Sequence, residues 1–239
     1  MNIRTKKQMA YDYIRENILC GKYPGQFRLR EKHIAEEIEV SRGPLREAIS
    51  ELVSEGLLEK VPGLGVYVRQ SSIGEIIELY EIREALEGFA AGKSAQNIST
   101  DDLVELDGIC NAMHRIAREF QACPSKETAR DQRSHWLELD LRFHEKIIHL
   151  AKNNRLESIL ETSRVMSQTF REKHVDPTIS DARVYLSNLA WAWRDHVRIL
   201  QAMQQRNPGL SRQSMVVHIR RAKQRSMRII EALNPSASS

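Results

Sequence analysis

Two arginines stand four residues apart in Val40-Ser41-Arg42-Gly43-Pro44-Leu45-Arg46-Glu47-Ala48-Ile49. That spacing places the Arg42 and Arg46 guanidiniums on one face of a helix. Ser41 is the expected N-cap of that helix, and a helix N-terminus favours phosphate. Arginines projecting from such a helix reach base edges or the nucleic-acid backbone. A second constellation lies in Leu139-Asp140-Leu141-Arg142-Phe143-His144-Glu145. Here a carboxylate and an imidazole four apart can bind one cation, although the same spacing also describes a plain surface ion pair. His196, in Trp191-Ala192-Trp193-Arg194-Asp195-His196-Val197, and His218, in Met215-Val216-Val217-His218-Ile219, sit among apolar residues. A lone histidine in that setting is usually a satisfied core residue. Two of them facing the Asp140–His144 helix would instead close a site of three histidines and one aspartate inside a bundle.

Arg83 occupies a position in Leu79-Tyr80-Glu81-Ile82-Arg83-Glu84-Ala85-Leu86-Glu87 where helical periodicity wants an apolar residue. A buried arginine needs an anion. The carboxylate of a ligand fits its fork, and Glu87, four residues on, is the competing partner. His114, His135, His149 and His174 have no partner at ligand spacing and read as surface residues. Arg212, Arg220, Arg221, Lys223, Arg225 and Arg228 read as a solvated basic face that could also meet DNA or a second copy. Trp136, Trp191 and Trp193 read as core or interface.

The elements that must position these groups follow from period and turn chemistry. Lys7 to Cys20 has helical spacing and is broken by Gly21-Lys22-Tyr23-Pro24-Gly25. Helices are expected over Glu31–Ile38 and Ser41–Glu55, the second closed by Gly56 as a C′ glycine. Leu57–Val61 and Val66–Arg69 read as two strands joined by the turn Pro62-Gly63-Leu64-Gly65. Three helices and a hairpin make a winged helix-turn-helix, whose wing glycines let backbone approach a phosphate or the minor groove. After Gln70-Ser71-Ser72 the pattern is helical. Six helices are expected, near 73–96, 100–121, 126–151, 153–174, 179–206 and 210–233, with Thr100 as one N-cap and a frayed tail from Asn234. The fold class is therefore mostly α: residues 1–71 a winged helix-turn-helix DNA-binding domain, residues 72–234 an all-α antiparallel bundle of about six helices.

Bulk properties agree with this division. The 239 residues suffice for two modest domains, and 41% hydrophobic with 28% charged residues is a globular composition. A net charge of +4 permits nucleic acid without demanding it. Cys20, Cys110 and Cys123 are scattered and odd in number, which points to a reducing compartment rather than a disulfide framework. With no signal peptide and no membrane-length apolar run, a soluble cytoplasmic protein is expected.

These residues together resemble the GntR family of bacterial transcription regulators, specifically its FCD branch, over nearly the whole chain. In the N-terminal part the resemblance rests on Gly21–Gly25, Glu31 with Ile34-Ala35, Val40–Ala48, Leu52, Glu55-Gly56-Leu57 and the wing Gly63-x-Gly65-Val66. In the C-terminal part it rests on Tyr80–Arg83 with Leu86-Glu87, Asp140 with Phe143-His144, Ala151 with Asn153, and on His196 and His218. It implies that Arg42 and Arg46 contact DNA, with Lys32 as a third contact, Ser41 helping to position the backbone and Gly63 at the wing tip. It implies that Asp140, His144, His196 and His218 are ligands to a divalent metal (zinc, or nickel, manganese or iron), and that Arg83 holds the carboxylate of a small organic acid. Six helices and a full ligand set resemble the smaller VanR-type fold rather than the acyl-CoA-binding kind. The family usually has Gly where Glu39 stands, which puts a strained residue in the helix-turn-helix turn.

The implied function is a ligand-responsive regulator, most often a repressor, acting as a homodimer on a near-palindromic double-stranded operator. Three rivals stay open: a metal that only contributes folding energy, a metal that is itself the signal, and, remotely, a metal-dependent hydrolase for which the sequence offers no evident general base.

Overall fold

The computed structural model describes residues 5–19, 22–122, 126–160, 163 and 182–233. Cys20, Gly21, Cys123, His174, most of the helix expected near 153–174, and the tail from Asn234 lie outside the described residues. The chain forms two compact units, dividing between Ile76 and Ile77, so that the first four residues of the helix at 73–97 count with the first unit and the rest with the second.

The first unit runs α1 (Lys6–Leu19), β1 (Arg28–Leu29), α2 (Glu31–Glu37), α3 (Arg42–Ser54), β2 (Leu58–Val61) and β3 (Gly65–Val68). Its core joins Ala10, Ile14 and Ile18 of α1 to Leu45, Ala48, Ile49 and Leu52 of α3 and to Leu58, Val66 and Val68 of the sheet. Those positions recur every three or four residues in the helices and every second residue in β3, the periods that put one face inward. The sheet is antiparallel in the order β1-β3-β2, with Arg28 opposite Tyr67 and Glu59 opposite Tyr67 on the other side. The two-residue β1 is an addition to the expected hairpin, since so short a strand leaves no period to read.

Both ends of the helix-turn-helix are closed by backbone hydrogen bonds. At the end of α3, Gly56 has φ +77°. Its N–H reaches Val53 O at 3.0 Å, and Leu57 N–H reaches Leu52 O at 3.0 Å, a Schellman closure. Leu57 therefore belongs to the cap and β2 starts one residue later than expected. The end of α2 is built the same way, with Val40 N–H on Ala35 O at 3.0 Å. Its left-handed residue is Glu39, at φ +53°. A side chain there costs about 1–2 kcal/mol, the strain expected from the missing glycine.

The second unit is helical: α4 (Ile73–Asn97), α5 (Thr100–Ala122), α6 (Lys126–Leu150), α7 described over 154–160, α8 (Ala182–Gln204) and α9 (Pro208–Leu233). No strand occurs among its described residues. The cap of α5 is Ser99 rather than the expected Thr100. Ser99 Oγ accepts from Asp102 N–H at 3.1 Å and Ser99 N–H donates to Asp102 Oδ2 at 3.1 Å, so a box three residues wide outcompetes a single threonine. The last helix begins at Pro208, two residues earlier than expected. Asn207 caps it through its Oδ1 on Leu210 N–H at 3.0 Å, and proline suits the first helical position.

Cross-helix pairs fix the directions. Tyr80 with Ser226, Glu84 with Arg220, and Gly88 with Val216 run in opposite orders along α4 and α9, which are thus antiparallel. The two helices meet closely: a Cβ on Gly88 would lie 2.8 Å from Val216 Cγ2, and one on Gly92 3.0 Å from Pro208 O. Lys146 of α6 reaches Asp102 and Glu105 of α5 at 2.7 Å each.

Candidate functional site

On the first unit, Arg42 and Arg46 are both exposed on α3. Ser41 stands at the N-cap with extended backbone, yet its hydroxyl makes no capping hydrogen bond. Pro44, three residues on, has no N–H to donate, which removes one of the two donors that an N-cap side chain serves, and the Gly43 N–H is not engaged either. The Ser41 side chain is left exposed beside the free N–H groups of the helix start, where an anion is favoured. Arg46 Nε donates to Glu31 Oε2 at 3.2 Å from a largely exposed position, a pair weak enough to yield to a phosphate or a base. Lys32 is exposed on α2, with Nζ 4.0 Å from Glu36. Gly63 has φ +73° and follows Pro62, the pairing a type II turn requires, and nothing lies within 4 Å of where its Cβ would be. Arg28, exposed on β1, escaped the sequence reading. Its Nε lies 3.5 Å from a Cβ placed on Gly65, so it adds a cation to the wing.

On the second unit, Asp140 and His144 of α6, His196 of α8 and His218 of α9 converge. One donor atom from each lies within 4.8 Å of all the others, and the three histidines are buried. Each ring presents Nε2 inward. His144 Nε2 is 3.1 Å from His218 Nε2, and His196 Nε2 is 3.2 Å from Asp140 Oδ1. The outward nitrogens are held by the surrounding protein. His144 Nδ1–H donates to the Glu87 carboxylate, and His196 Nδ1–H donates to Ala192 O at 2.8 Å. Phe143 packs edge-on against His196 with ring centroids 4.6 Å apart, fixing its plane.

These contacts decide what the site can hold. A neutral His196 that donates from Nδ1 has a bare Nε2, and that atom is buried with no hydrogen-bond partner among the described residues. It faces a carboxylate oxygen, so two acceptors confront each other with no proton between them. A cation resolves that confrontation, and imidazoles held by carboxylate and carbonyl on the far nitrogen are the usual form of metal-binding histidine. Burial pushes His218 down to about 3, which keeps its ring neutral as a ligand must be. The residues present therefore fit a divalent metal of the kind bound by nitrogen and oxygen.

Arg83 is buried on α4, as its position predicted. Its Nε donates to Glu87 Oε1 at 2.7 Å, so the partner four residues on is engaged. Burial works against the guanidinium charge, but Glu87 and the Tyr80 ring outweigh it and hold the arginine protonated. Glu87 thus joins Arg83 to His144. It was legible only as a possible partner for Arg83, because the histidine it holds is 57 residues away. Asp195 escaped the sequence reading altogether. Buried on α8, it accepts from Arg221 Nη1 at 2.5 Å and Arg198 Nη1 at 3.0 Å. Burial raises its pKa, yet its partners, Arg221 among them, more than compensate and hold it at about 2.

The basic face of α9 is largely paired rather than free. Arg220 makes two hydrogen bonds to Glu84, Lys223 meets Glu81 at 2.9 Å, and Arg221 meets Asp195. His114 stacks on Trp193 at 4.1 Å, while His135 and His149 are exposed, the latter 3.3 Å from Glu157. Trp136 is buried, and Trp191 is exposed.

The family model for bacterial regulatory proteins of the gntR family matches residues 6–68, and that for the FCD domain matches residues 78–221. The Nta operon transcriptional regulator of Aminobacter aminovorans is 30% identical over 148 residues, and the match spans 62% of this chain and 63% of that protein's length. The HTH-type transcriptional repressor RspR of Escherichia coli K12 is 27% identical over 213 residues, 89% of this chain and 85% of that one. The solved structure of E. coli McbR/YncC has a TM-score of 0.78 at 17% identity, covering 95% of this chain and 99% of that one, which shows a common fold. No helix among the described residues is long and apolar enough to cross a membrane. With a DNA-binding helix-turn-helix at its start and the FCD match over more than half its length, the chain belongs to the GntR family of bacterial DNA-binding transcriptional regulators, in the FCD branch.

Proposed function

We propose that this regulator is a ligand-responsive repressor of the VanR-type metal-binding branch, in which residues 1–71 bind the operator and residues 72–234 bind the signal. The observation that carries the reading is the inward convergence of Asp140, His144, His196 and His218, with an orphaned His196 Nε2 at its centre. These four residues would hold zinc, or nickel, manganese or iron. The bound metal supplies a Lewis-acid contact for the carboxylate of a small organic acid. Arg83 clamps the same acid through the part of its guanidinium that Glu87 does not engage, and Glu87 keeps the guanidinium in place.

Lys32, Ser41, Arg42, Arg46 and Gly63 contact DNA, with the cations supplying affinity and the exposed arginines reading bases. The protein acts in the cytoplasm as a homodimer on a near-palindromic site, and the acid alters operator affinity only as far as it prefers one arrangement of the DNA-binding units over another. The test is a thermal melt of the whole protein against small sugar acids and dicarboxylates, with and without chelator, followed by operator binding with each acid that responds. A metal-dependent rise with one acid, accompanied by a change in operator affinity, is the expected result.

The Arg83–Glu87 ion pair favours one second reading, in which the arginine is structural and the metal is a folding element or the signal itself. A melt that responds to metal, and operator binding that ignores every acid tested, would favour it.

A further inference from the structure

We propose that Asp195 is the positioning residue for His218: on metal loading it accepts the His218 Nδ1–H, completing the support that Glu87 gives His144 and Ala192 O gives His196. The inference rests on the metal reading above and adds to it a residue that neither spacing nor resemblance singled out.

Two buried atoms motivate it. Among the described residues Asp195 Oδ2 and His218 Nδ1 each lack a hydrogen-bond partner, and they stand 3.9 Å apart. A carboxylate oxygen and an imidazole nitrogen that close would normally bond, and proton bookkeeping explains why they do not. Glu87 lies between the Arg83 guanidinium and His144, so it is a carboxylate and His144 must carry its proton on Nδ1. His144 Nε2 is then a bare acceptor. His218 Nε2, 3.1 Å away, must donate to it. A neutral His218 with its proton on Nε2 has a bare Nδ1, which meets the carboxylate lone pair against lone pair and stays out of bonding reach.

Metal ligation reverses the arrangement. For Nε2 of His218 to coordinate, its proton leaves to water. The ring remains neutral by taking up one proton from water at Nδ1, so the exchange balances. The new Nδ1–H points at Asp195 Oδ2, and a closure of about 1 Å brings the pair to the ordinary length of a charge-assisted hydrogen bond. Asp195 can take this role because its other oxygen is anchored by Arg221 and Arg198, and because it precedes His196, so that one turn of α8 holds a ligand and the support of another ligand together. Arg225, with Nη1 3.8 Å from Oδ2, backs the same oxygen.

The test uses the full-length protein and zinc ion. Affinity is measured by competition with a chromophoric chelator for wild type and Asp195→Asn, and the metal-free melts are compared. The asparagine amide donates to the bare Nδ1 of the metal-free form and opposes the loaded one. Zinc affinity of the folded variant should therefore fall about 10- to 100-fold, while the charge lost opposite Arg221 and Arg198 lowers the metal-free melt. A purely structural role would lower the melt and leave the zinc affinity of the folded variant unchanged. The second measurement needs no variant: nitrogen-15 spectra of the imidazoles should show His218 protonated at Nε2 without zinc and at Nδ1 with it. Unchanged affinity in Asp195→Asn, or a His218 tautomer indifferent to zinc, overturns the proposal. A wild type that binds no zinc, nickel, manganese or iron overturns the metal reading itself.

Discussion

Replacing Glu87 by Gln tests whether the site is organised as described. Glu87 is fully buried and uses one oxygen for Arg83 Nε–H at 2.7 Å and the other for His144 Nδ1–H. Glutamine keeps one acceptor and replaces the second with an NH₂ group. Arg83 offers only donors, so the amide oxygen goes to it and the NH₂ faces His144. His144 must then leave Nδ1 bare and carry its proton on Nε2, the atom that faces the ligand cluster. Restoring the ligating form places two donors against each other where water cannot reach, at a cost of about 1–3 kcal/mol. Metal affinity should therefore drop by about 10- to 100-fold, in line with the usual effect of losing a partner behind a metal-binding histidine. The guanidinium also loses a full counter-charge, so the metal-free protein should melt lower. Chelator competition on protein shown by circular dichroism to be folded measures the first effect, and a metal-free melt the second. A folded Glu87→Gln protein with unchanged metal affinity would refute the assignment of His144 tautomer and of Glu87 as its support.

The other expectations are more local. Arg46→Ala should weaken operator binding by about 5- to 150-fold in fluorescence anisotropy, the range for one lost base-reading arginine, and leave the melt and metal binding of the helical unit intact; unchanged operator affinity would show that α3 docks differently. Glu39→Gly should raise stability by about 0.5–1 kcal/mol in chemical denaturation, because the relief of the φ +53° strain exceeds the added freedom of glycine in the unfolded chain. A loss of stability would mean that the left-handed turn is not strained. Asp102→Asn should abolish an acid-sensitive contribution. The hydrogen bonds from Lys146 and Ser99 hold the Asp102 carboxyl at about 2 against an ordinary 3.8. Its contribution is therefore present above pH 3.8 and lost as pH falls through about 2, so the gap between wild-type and variant melts should be full at neutral pH and close with acid.

Legibility followed the range of the interaction. Gly56 closing α3, the Pro62-Gly63 turn and the strain at Glu39 were readable because each depends on a few adjacent residues. Ser41 stands at the N-cap that the sequence marks but makes no capping hydrogen bond, because that bond depends on its neighbours as well as on the serine, and Pro44 takes away one donor. The cap of α5 falls one residue before Thr100 for the same kind of reason: Ser99 and Asp102 act as a pair, which a single threonine does not reveal. Strand β1 was invisible, because two residues take their conformation from the partner strand rather than from their own pattern.

The candidate metal centre divides along the same line. Asp140 and His144 share a helix face by their spacing alone, and the apolar settings of His196 and His218 marked them as inward-facing. Sequence by itself therefore determined which side chains were available and that they belonged to helices of one bundle. Only the tertiary structure decided that Arg83 pairs with Glu87, that Glu87 also holds His144 across 57 residues, and that Asp195 stands behind His218. Periodicity reports which face of a helix turns inward, but it carries no information about which residue of a distant helix lies opposite at the same height. That height is set by packing, as in the close approach of α9 to α4 at Gly88 and Gly92.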